Sequence, residues 1–217
     1  MLSKEREKEV IALCQALIRE RSCSGEERGV VEAMERGFRR LRFDDVSIDP
    51  CGSIVGHIRG NRPGNVLLLD GHIDTVPVSA GSPWKHAPFA AEIEGGRIYG
   101  RGASDMKGAV SAMMAAAGYF AADTKRDFAG QICVSGVVHE ECFEGIAARR
   151  ISERLKPDMV VIGEASELNL KRGQRGRAEV VVETLGRPAH SANPAAGINA
   201  VYKMAELIEA IRALPES

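Results

Sequence analysis

Four short segments carry acidic or histidine side chains of the kind that bind divalent metals. They are Gly71-His72-Ile73-Asp74, Arg101-Gly102-Ala103-Ser104-Asp105, His139-Glu140-Glu141 and Gly163-Glu164. Three of them directly follow apolar runs that are typical of core strands, and ligands bind at the carboxyl ends of strands in open α/β sheets. Carboxylates that converge on one sheet edge repel one another unless cations balance them. The pattern therefore indicates a divalent metal site.

Spacing within two of these segments suggests different tasks for neighbouring side chains. In an extended segment His72 and Asp74 lie on the same side, so Asp74 can accept the imidazole N–H that a metal-binding histidine leaves free. Glu140 and Glu141 point in opposite directions, so one carboxylate can bind metal while the other moves a proton. Each motif alone has a plainer explanation, because acidic residues are also common where helices begin. Their occurrence together favours metal chemistry.

The elements that must position these residues are predicted from hydrophobic periodicity. Residues 4–21 have an amphipathic helical pattern, and Ser24 with Glu27 fits a capping box that opens a second helix through about Leu41. Further helices are predicted at residues 105–122 and 145–155. Strands are predicted at residues 53–59, 66–69, 132–138 and 159–162, a turn at 61–64 and a hairpin at 92–99. This alternation predicts an α/β domain with a largely parallel sheet.

A domain boundary is predicted near residues 170–174. Residues 1–172 would form the domain with the metal site, and residues 173–217 would begin a second domain. There Arg177–Thr184 alternates like a half-buried strand, and a helix follows Pro194. One strand and one helix cannot bury both of their faces, so we expect the second domain to be incomplete.

Composition excludes several classes of function. The 217 residues carry a formal net charge of -1, which gives no electrostatic footprint for nucleic acid or an anionic membrane. The N-terminus is charged and no apolar stretch reaches membrane-spanning length, so we expect a cytoplasmic protein. Five cysteines without a C-x-x-C pair argue against a disulfide framework. No G-x-G-x-x-G or P-loop motif supports nucleotide binding.

Taken together, the motifs resemble those of the zinc-dependent metallopeptidase and amidohydrolase family. Acetylornithine deacetylase, succinyl-diaminopimelate desuccinylase, glutamate carboxypeptidases and aminoacylases belong to that family. The resemblance covers about residues 8–214. It rests on four motifs in the same order and spacing, which are Gly71–Pro77, Tyr99–Gly108, Glu140-Glu141 and Gly163-Glu164.

The resemblance implies a particular set of metal ligands. His72 and Glu164 would bind one zinc, Glu141 would bind a second, and Asp105 would bridge the two, with a cis peptide bond after it. Cobalt or manganese could replace zinc. The implied fold is a zinc-peptidase-like α/β domain with a mostly parallel sheet, followed by the start of an α+β ferredoxin-like lid and dimerisation domain.

The resemblance also implies the reaction. Glu140 would be the general base and Asp74 would orient the imidazole of His72 in the hydrolysis of an amide bond. The substrate would be an N-acyl amino acid or a small peptide, as in the deacylases and carboxypeptidases. In a homodimer joined through its lids, His190 from the partner's loop would stabilise the oxyanion.

This sequence departs from the family in length. Family members are nearly twice as long, and their later part supplies a last histidine to the second zinc and the residues that hold the substrate carboxylate. Three explanations stay open: a truncated hydrolase, a fragment completed by a separate chain, or a catalytically silent protein that binds metal or a partner subunit. We expect the isolated chain to expose apolar surface at the sheet and therefore to associate.

Overall fold

The computed structural model describes residues 2–143, 145–174, 176 and 178–215. The chain divides into two compact units, Met1–Leu170 and Lys171–Ser217. Each unit is described by itself. That the second unit begins a lid domain stays a prediction.

A five-stranded sheet forms the centre of the first unit, with the strand order β1-β2-β6-β3-β7. The five strands are β1 (Asp45–Ile48), β2 (Ile54–Arg59), β3 (Arg62–Asp70), β6 (Ala129–Gly136) and β7 (Met159–Ile162), and a separate hairpin consists of β4 (Glu92–Glu94) and β5 (Arg97–Tyr99). Strand β2 is antiparallel to both of its neighbours, whereas β3 is parallel to β6 and β7. Four of the five strands therefore run in one direction, which confirms the mostly parallel α/β sheet.

Four helices pack with this sheet in the first unit. They are α1 (Lys4–Arg19), α2 (Arg28–Arg40), α3 (Gly108–Asp123) and α4 (Ile146–Leu155). Leu17, Phe38 and Met114 contribute fully buried side chains from the first three helices to one core with the strands. Helix α2 approaches the sheet closely at Gly56, where an added Cβ would lie 2.6 Å from the ring of Phe38. Glycine at this position in β2 makes room for the aromatic ring.

In the first unit two local predictions were wrong and one strand was missed. Ser24 does not cap α2, because the N-cap is Glu27 and no side chain forms the cap hydrogen bond. The side chains of Ser24 and Glu27 are used by the candidate site instead. The predicted turn at 61–64 lies largely within β3, where a register shift between Arg62 and Val66 accommodates the proline and glycine. Strand β1 was missed because its residues, DVSI, include only two apolar side chains.

The second unit contains α5 (Ala200–Arg212), whose N-cap Asn199 accepts a hydrogen bond from the amide of Val201. A single helical turn, Pro194–Ala196, precedes it. The predicted strand at 177–184 was wrong, because residues 178–184 form no strand and residue 177 lies outside the described residues. An extended segment becomes a strand only when a neighbouring strand completes its backbone hydrogen bonds, and no described residue provides one here.

Within the described part of the chain, no helix combines the length and the apolar character that a membrane crossing requires. All five cysteines are free thiols.

Strand β7 lies at one end of the sheet order, and its apolar side chains are about half exposed. The exposed fractions are 51% for Met159, 47% for Val160, 52% for Val161 and 58% for Ile162. An apolar edge strand with unpaired backbone groups is a template for association.

We expect the 217-residue chain to bind a hydrophobic dye and to associate during sedimentation, and Val161→Lys to reduce both, because a charge on an edge strand opposes pairing. Ile48→Lys is the matched control, since Ile48 is 52% exposed in the opposite edge strand β1, which already carries an aspartate. A monodisperse monomer that binds no dye would contradict this expectation.

The packing of α2 on the sheet predicts a large cost for losing the Phe38 ring. Phe38 is fully buried and its ring lies 4.6 Å from that of Phe43. We expect Phe38→Ala to lower the free energy of unfolding by about 3–5 kcal/mol in urea denaturation, because it removes buried surface and leaves a cavity. Phe143→Ala, at a side chain that is 60% exposed, should change it by about 0.5 kcal/mol or less. Similar losses in both variants would contradict the assignment of Phe38 to the core.

Candidate metal centre

The predicted site residues follow the carboxyl ends of three adjacent parallel strands. His72 comes two residues after β3, Glu140 and Glu141 follow β6, and Glu164 comes two residues after β7. Strand-like pairing continues past the strand ends, because Ile73 donates its amide to the carbonyl of Val137 at 2.8 Å. The parallel register thus places segments that are distant in sequence beside one another.

Asp105 reaches the same place from a kinked turn, Ala103–Lys107, at the start of α3. Gly102 precedes this turn with φ of 79°, and its carbonyl accepts the Lys107 amide at 2.8 Å. The peptide bond between Asp105 and Met106 is cis, as the resemblance implies.

Five acidic residues lie around the imidazole of His72, four of them in the cluster on its Nε2 side and Asp74 on its Nδ1 side. Its Nε2 lies 2.9 Å from Asp105 Oδ1, 3.6 Å from Glu164 Oε1 and 4.0 Å from Glu140 Oε2. One donor atom each from His72, Asp105 and Glu141 lies within 4.8 Å of the others. The imidazole is only 2% exposed, whereas the side chains of Asp105 and Glu164 are 59% and 48% exposed. The cluster is thus closed on the histidine side and open on the carboxylate side.

The other imidazole nitrogen is fixed by the backbone. Nδ1 of His72 lies 2.9 Å from the carbonyl oxygen of Asp74. Because a carbonyl oxygen can only accept, Nδ1 carries the proton and donates it, and Nε2 is left to face the acidic side chains. Nε2 in turn donates to Asp105 Oδ1 at 2.9 Å, and a metal at Nε2 would take the place of that proton while Nδ1 keeps its own.

Electrostatics in the cluster favour a positive charge. Burial by itself would lower the pKa of His72, but hydrogen bonds to Asp74 and Asp105 outweigh it and raise this pKa to about 10. Burial raises the pKa of Glu140 and of Glu141, and neighbouring carboxylates add to both shifts. Imidazole nitrogen and carboxylate oxygen are ligands of zinc and of manganese or cobalt, so the donor set fits a divalent metal of this kind.

Asp74 has a wider set of contacts than the sequence suggested. Its carboxylate is fully buried and lies 3.6 Å from Nδ1 of His72. Its two oxygens accept the backbone amides of Glu140 and Glu141, each at 3.1 Å, and Oδ2 also accepts the hydroxyl of Ser24 at 2.6 Å. Burial would raise the pKa of Asp74, but these hydrogen bonds and His72 lower it. Asp74 is therefore an ionised carboxylate. It holds in place the acidic turn, which consists of residues 139–141.

Two further buried charges were missed by the sequence reasoning. Lys107 is fully buried, donates from Nζ to the carbonyl of Glu20 at 2.8 Å, and has a pKa that burial lowers to about 8. Asp70 at the end of β3 is buried, accepts the hydroxyl of Ser135, and has a pKa that burial raises. Lys107 lies in the Tyr99–Gly108 motif and Asp70 directly precedes the Gly71–Pro77 motif, but only the fold shows that these side chains are removed from water.

His190 lies in the second unit. It is exposed, and its Nδ1 accepts the amide of Ala192 at 3.1 Å.

Comparison with known proteins identifies relatives. The chain matches the sequence model of Peptidase family M20/M25/M40 over residues 68–215. It is 33% identical over 214 residues to succinyl-diaminopimelate desuccinylase of Dinoroseobacter shibae. That alignment covers 94% of this chain and 56% of that enzyme. It is also 32% identical over 195 residues to the uncharacterized protein YgeY of Escherichia coli K12. That alignment covers 89% of this chain and 48% of that protein.

A solved structure shares the fold. It is that of Bacillus subtilis YXEP, described as a dinuclear metal binding peptidase from the M20 family, with a TM-score of 0.53 at 17% identity. The match covers 70% of this chain and 40% of that chain. This chain spans about half the length of the curated relatives that it matches.

The contacts of Asp74 predict a specific effect of Asp74→Asn. Asparagine has one acceptor oxygen, so in either orientation its NH₂ group would face an amide that now donates to the carboxylate. We expect the free energy of unfolding to fall by about 1–3 kcal/mol. The amide of Glu140 or Glu141 should also exchange faster with deuterium in NMR experiments.

Asp49→Asn provides the matched control. Asp49 also accepts two amides, from Cys51 at 2.8 Å and Ser53 at 3.0 Å, but both donate to Oδ1, and Oδ2 has no partner among the residues that the structure describes. Asparagine can keep both bonds there, so stability should change little. Equal losses in the two variants would show that the bonds of Asp74 are not the cause.

Proposed function

Because the chain belongs to Peptidase family M20/M25/M40, we propose that it acts as a metal-dependent hydrolase on the amide bond of an N-acyl amino acid or a small peptide. The observation that carries this proposal is the gathering of His72, Asp105 and Glu141 donors within 4.8 Å, with Glu140 beside them. The similarity to a desuccinylase, which is named for removing an acyl group, supports the substrate class.

The proposed ligands are those that the sequence suggested. His72 and Glu164 would hold one zinc and Glu141 a second, with Asp105 shared between them; cobalt or manganese would suit the same donors. The description of Bacillus subtilis YXEP as a dinuclear metal binding peptidase supports two metals. When bound, the metals supply Lewis-acid polarisation of the substrate carbonyl and a lowered pKa of the attacking water.

Glu140 is the residue proposed to move the proton. Burial raises the pKa of its carboxyl, which brings a carboxylate closer to the range in which it accepts a proton from water and returns it to a leaving amine. Its side chain is 32% exposed, so a substrate can reach it from the open side of the cluster. Asp74 and the carbonyl hydrogen bond at Nδ1 keep the imidazole of His72 in one orientation while this transfer takes place.

The second unit is proposed to contribute in a dimer. Residues 173–217 would begin a lid domain that joins two copies of the chain, and His190 of one copy would stabilise the oxyanion formed at the other. The exposure of His190 is compatible with this role. A cytoplasmic location stays a prediction of the sequence.

Glu140→Gln tests the proposed base. The amide cannot accept the proton, so we expect turnover of N-acyl amino acids to fall by about 10²–10⁴-fold while zinc affinity changes little. Hydrolysis of an N-acetyl and N-succinyl amino acid panel would be followed with zinc titration by calorimetry.

Two controls separate chemistry from metal binding. His72→Ala should weaken zinc binding and turnover together, because it removes the buried donor of the cluster. Glu153→Gln makes the same chemical change as Glu140→Gln at a side chain that is 69% exposed and should alter neither quantity. Zinc binding by the wild-type chain without any turnover would contradict hydrolysis by these 217 residues alone, and it would fit an incomplete hydrolase as well as a silent metal-binding protein.

A further inference from the structure

The loop between α1 and α2, residues 20–27, runs beside the candidate metal centre. Ser22 donates its hydroxyl to the carbonyl of Ile73 at 2.7 Å and accepts the amide of Thr75 at 2.8 Å through its backbone carbonyl. Cys23 and Thr75 form a parallel bridge. The loop is therefore attached to the segment that carries His72 and Asp74.

Two side chains of this loop reach the acidic turn. Ser24 donates its hydroxyl to Asp74 Oδ2 at 2.6 Å. Glu27, which is 7% exposed, accepts the backbone amide of His139 at 3.1 Å through Oε1, and the same oxygen lies 3.4 Å from Nδ1 of His139. These are the two residues that sequence spacing assigned to a helix cap.

Consecutive backbone amides of the turn thus have buried acceptors. The amide of His139 donates to Glu27, and those of Glu140 and Glu141 donate to Asp74. His139 has φ of 60°, so the turn begins in a left-handed conformation that non-glycine residues adopt only with support from their surroundings. The directions of the Glu140 and Glu141 side chains follow from the backbone that these bonds hold.

We propose that Ser24 and Glu27 are positioning residues, which hold Glu140 and Glu141 in place through the backbone amides of residues 139–141. Glu27 acts directly on the first amide. Ser24 acts through Asp74, by fixing the carboxylate that accepts the other two. The consequence for metal binding and for proton transfer rests on the proposed function, whereas the positioning itself does not.

The direct test is amide exchange in the metal-free chain, measured by NMR for residues 139–141. Glu27→Ala should raise the exchange rate of the His139 amide, and Ser24→Ala those of the Glu140 and Glu141 amides, each by about tenfold or more relative to the amides of β6. Ser24→Thr keeps the hydroxyl and Glu27→Gln keeps an acceptor oxygen, so both should restore most of the protection.

A variant in the same loop separates positioning from general loosening. Ser22→Ala removes a buried hydroxyl bond to Ile73 and leaves the contacts of the turn intact. Glu26→Ala is a second control, because Glu26 is exposed and pairs with Arg21 at 3.4 Å. If Ser22→Ala exposes residues 139–141 as much as Ser24→Ala and Glu27→Ala do, the positioning role is refuted. Unchanged exchange in Ser24→Ala and Glu27→Ala refutes it as well.

A second measurement tests whether the positioning residues Ser24 and Glu27 affect metal binding. Zinc affinity by calorimetry should fall about 10–100-fold in Ser24→Ala and Glu27→Ala, the usual cost of losing a residue that orients metal ligands, and should recover in the Thr and Gln variants. Where turnover is measurable, these alanine variants should lower kcat more than they raise KM. If the wild-type chain does not bind zinc, the proposed function fails, while the exchange rates still decide the positioning role.

Discussion

A carboxylate that is removed from water needs hydrogen bonds on both oxygens, and Asp74 finds its partners far away in sequence. Ser24 is 50 residues before it and the amides of Glu140 and Glu141 are 66 and 67 residues after it. Leaving one of these groups unpaired in the interior would cost free energy, so the three segments have little freedom to separate. The orientation of His72, the position of the loop at Ser24 and the direction of the acidic turn all depend on this arrangement.

The charged side chains near Asp74 differ in their solvent exposure. The imidazole of His72 and the carboxylate of Asp74 are buried, whereas the side chains of Asp105, Glu140 and Glu164 are 59%, 32% and 48% exposed. Water screens repulsion among the exposed carboxylates, and the buried ion pair is compensated by fixed hydrogen bonds. The fold can therefore hold an acidic cluster that would favour a cation without depending on the cation for every contact.

Most of the sheet and the membership of the acidic cluster were predictable from the sequence. Apolar runs placed β7 at its observed residues and located β2, the end of β3 and most of β6. The acidic motifs after β3, β6 and β7 predicted which side chains would meet. The spacing of Ser24 and Glu27 led to a wrong prediction of a helix cap. The same types of polar residue form a capping box and the long-range hydrogen bonds that are observed here. Spacing along the chain contains no information about an acceptor such as Asp74 that comes from another segment. The strand predicted at 177–184 failed for a related reason, since a strand depends on a neighbour that periodicity does not describe.

The parallel order of β6, β3 and β7 has a consequence for synthesis of the chain. Strand β3 is made first, but both of its neighbours come later, and the last acidic side chain of the cluster, Glu164, follows His72 by 92 residues. At translation rates of about 5–20 residues per second, this interval lasts about 5–18 s. Until β6 has been made neither edge of β3 has a partner, and non-local pairing of this kind is slow to form. The nascent chain therefore passes through a stage in which β3 lacks its sheet partners and its edges are open to association with other chains.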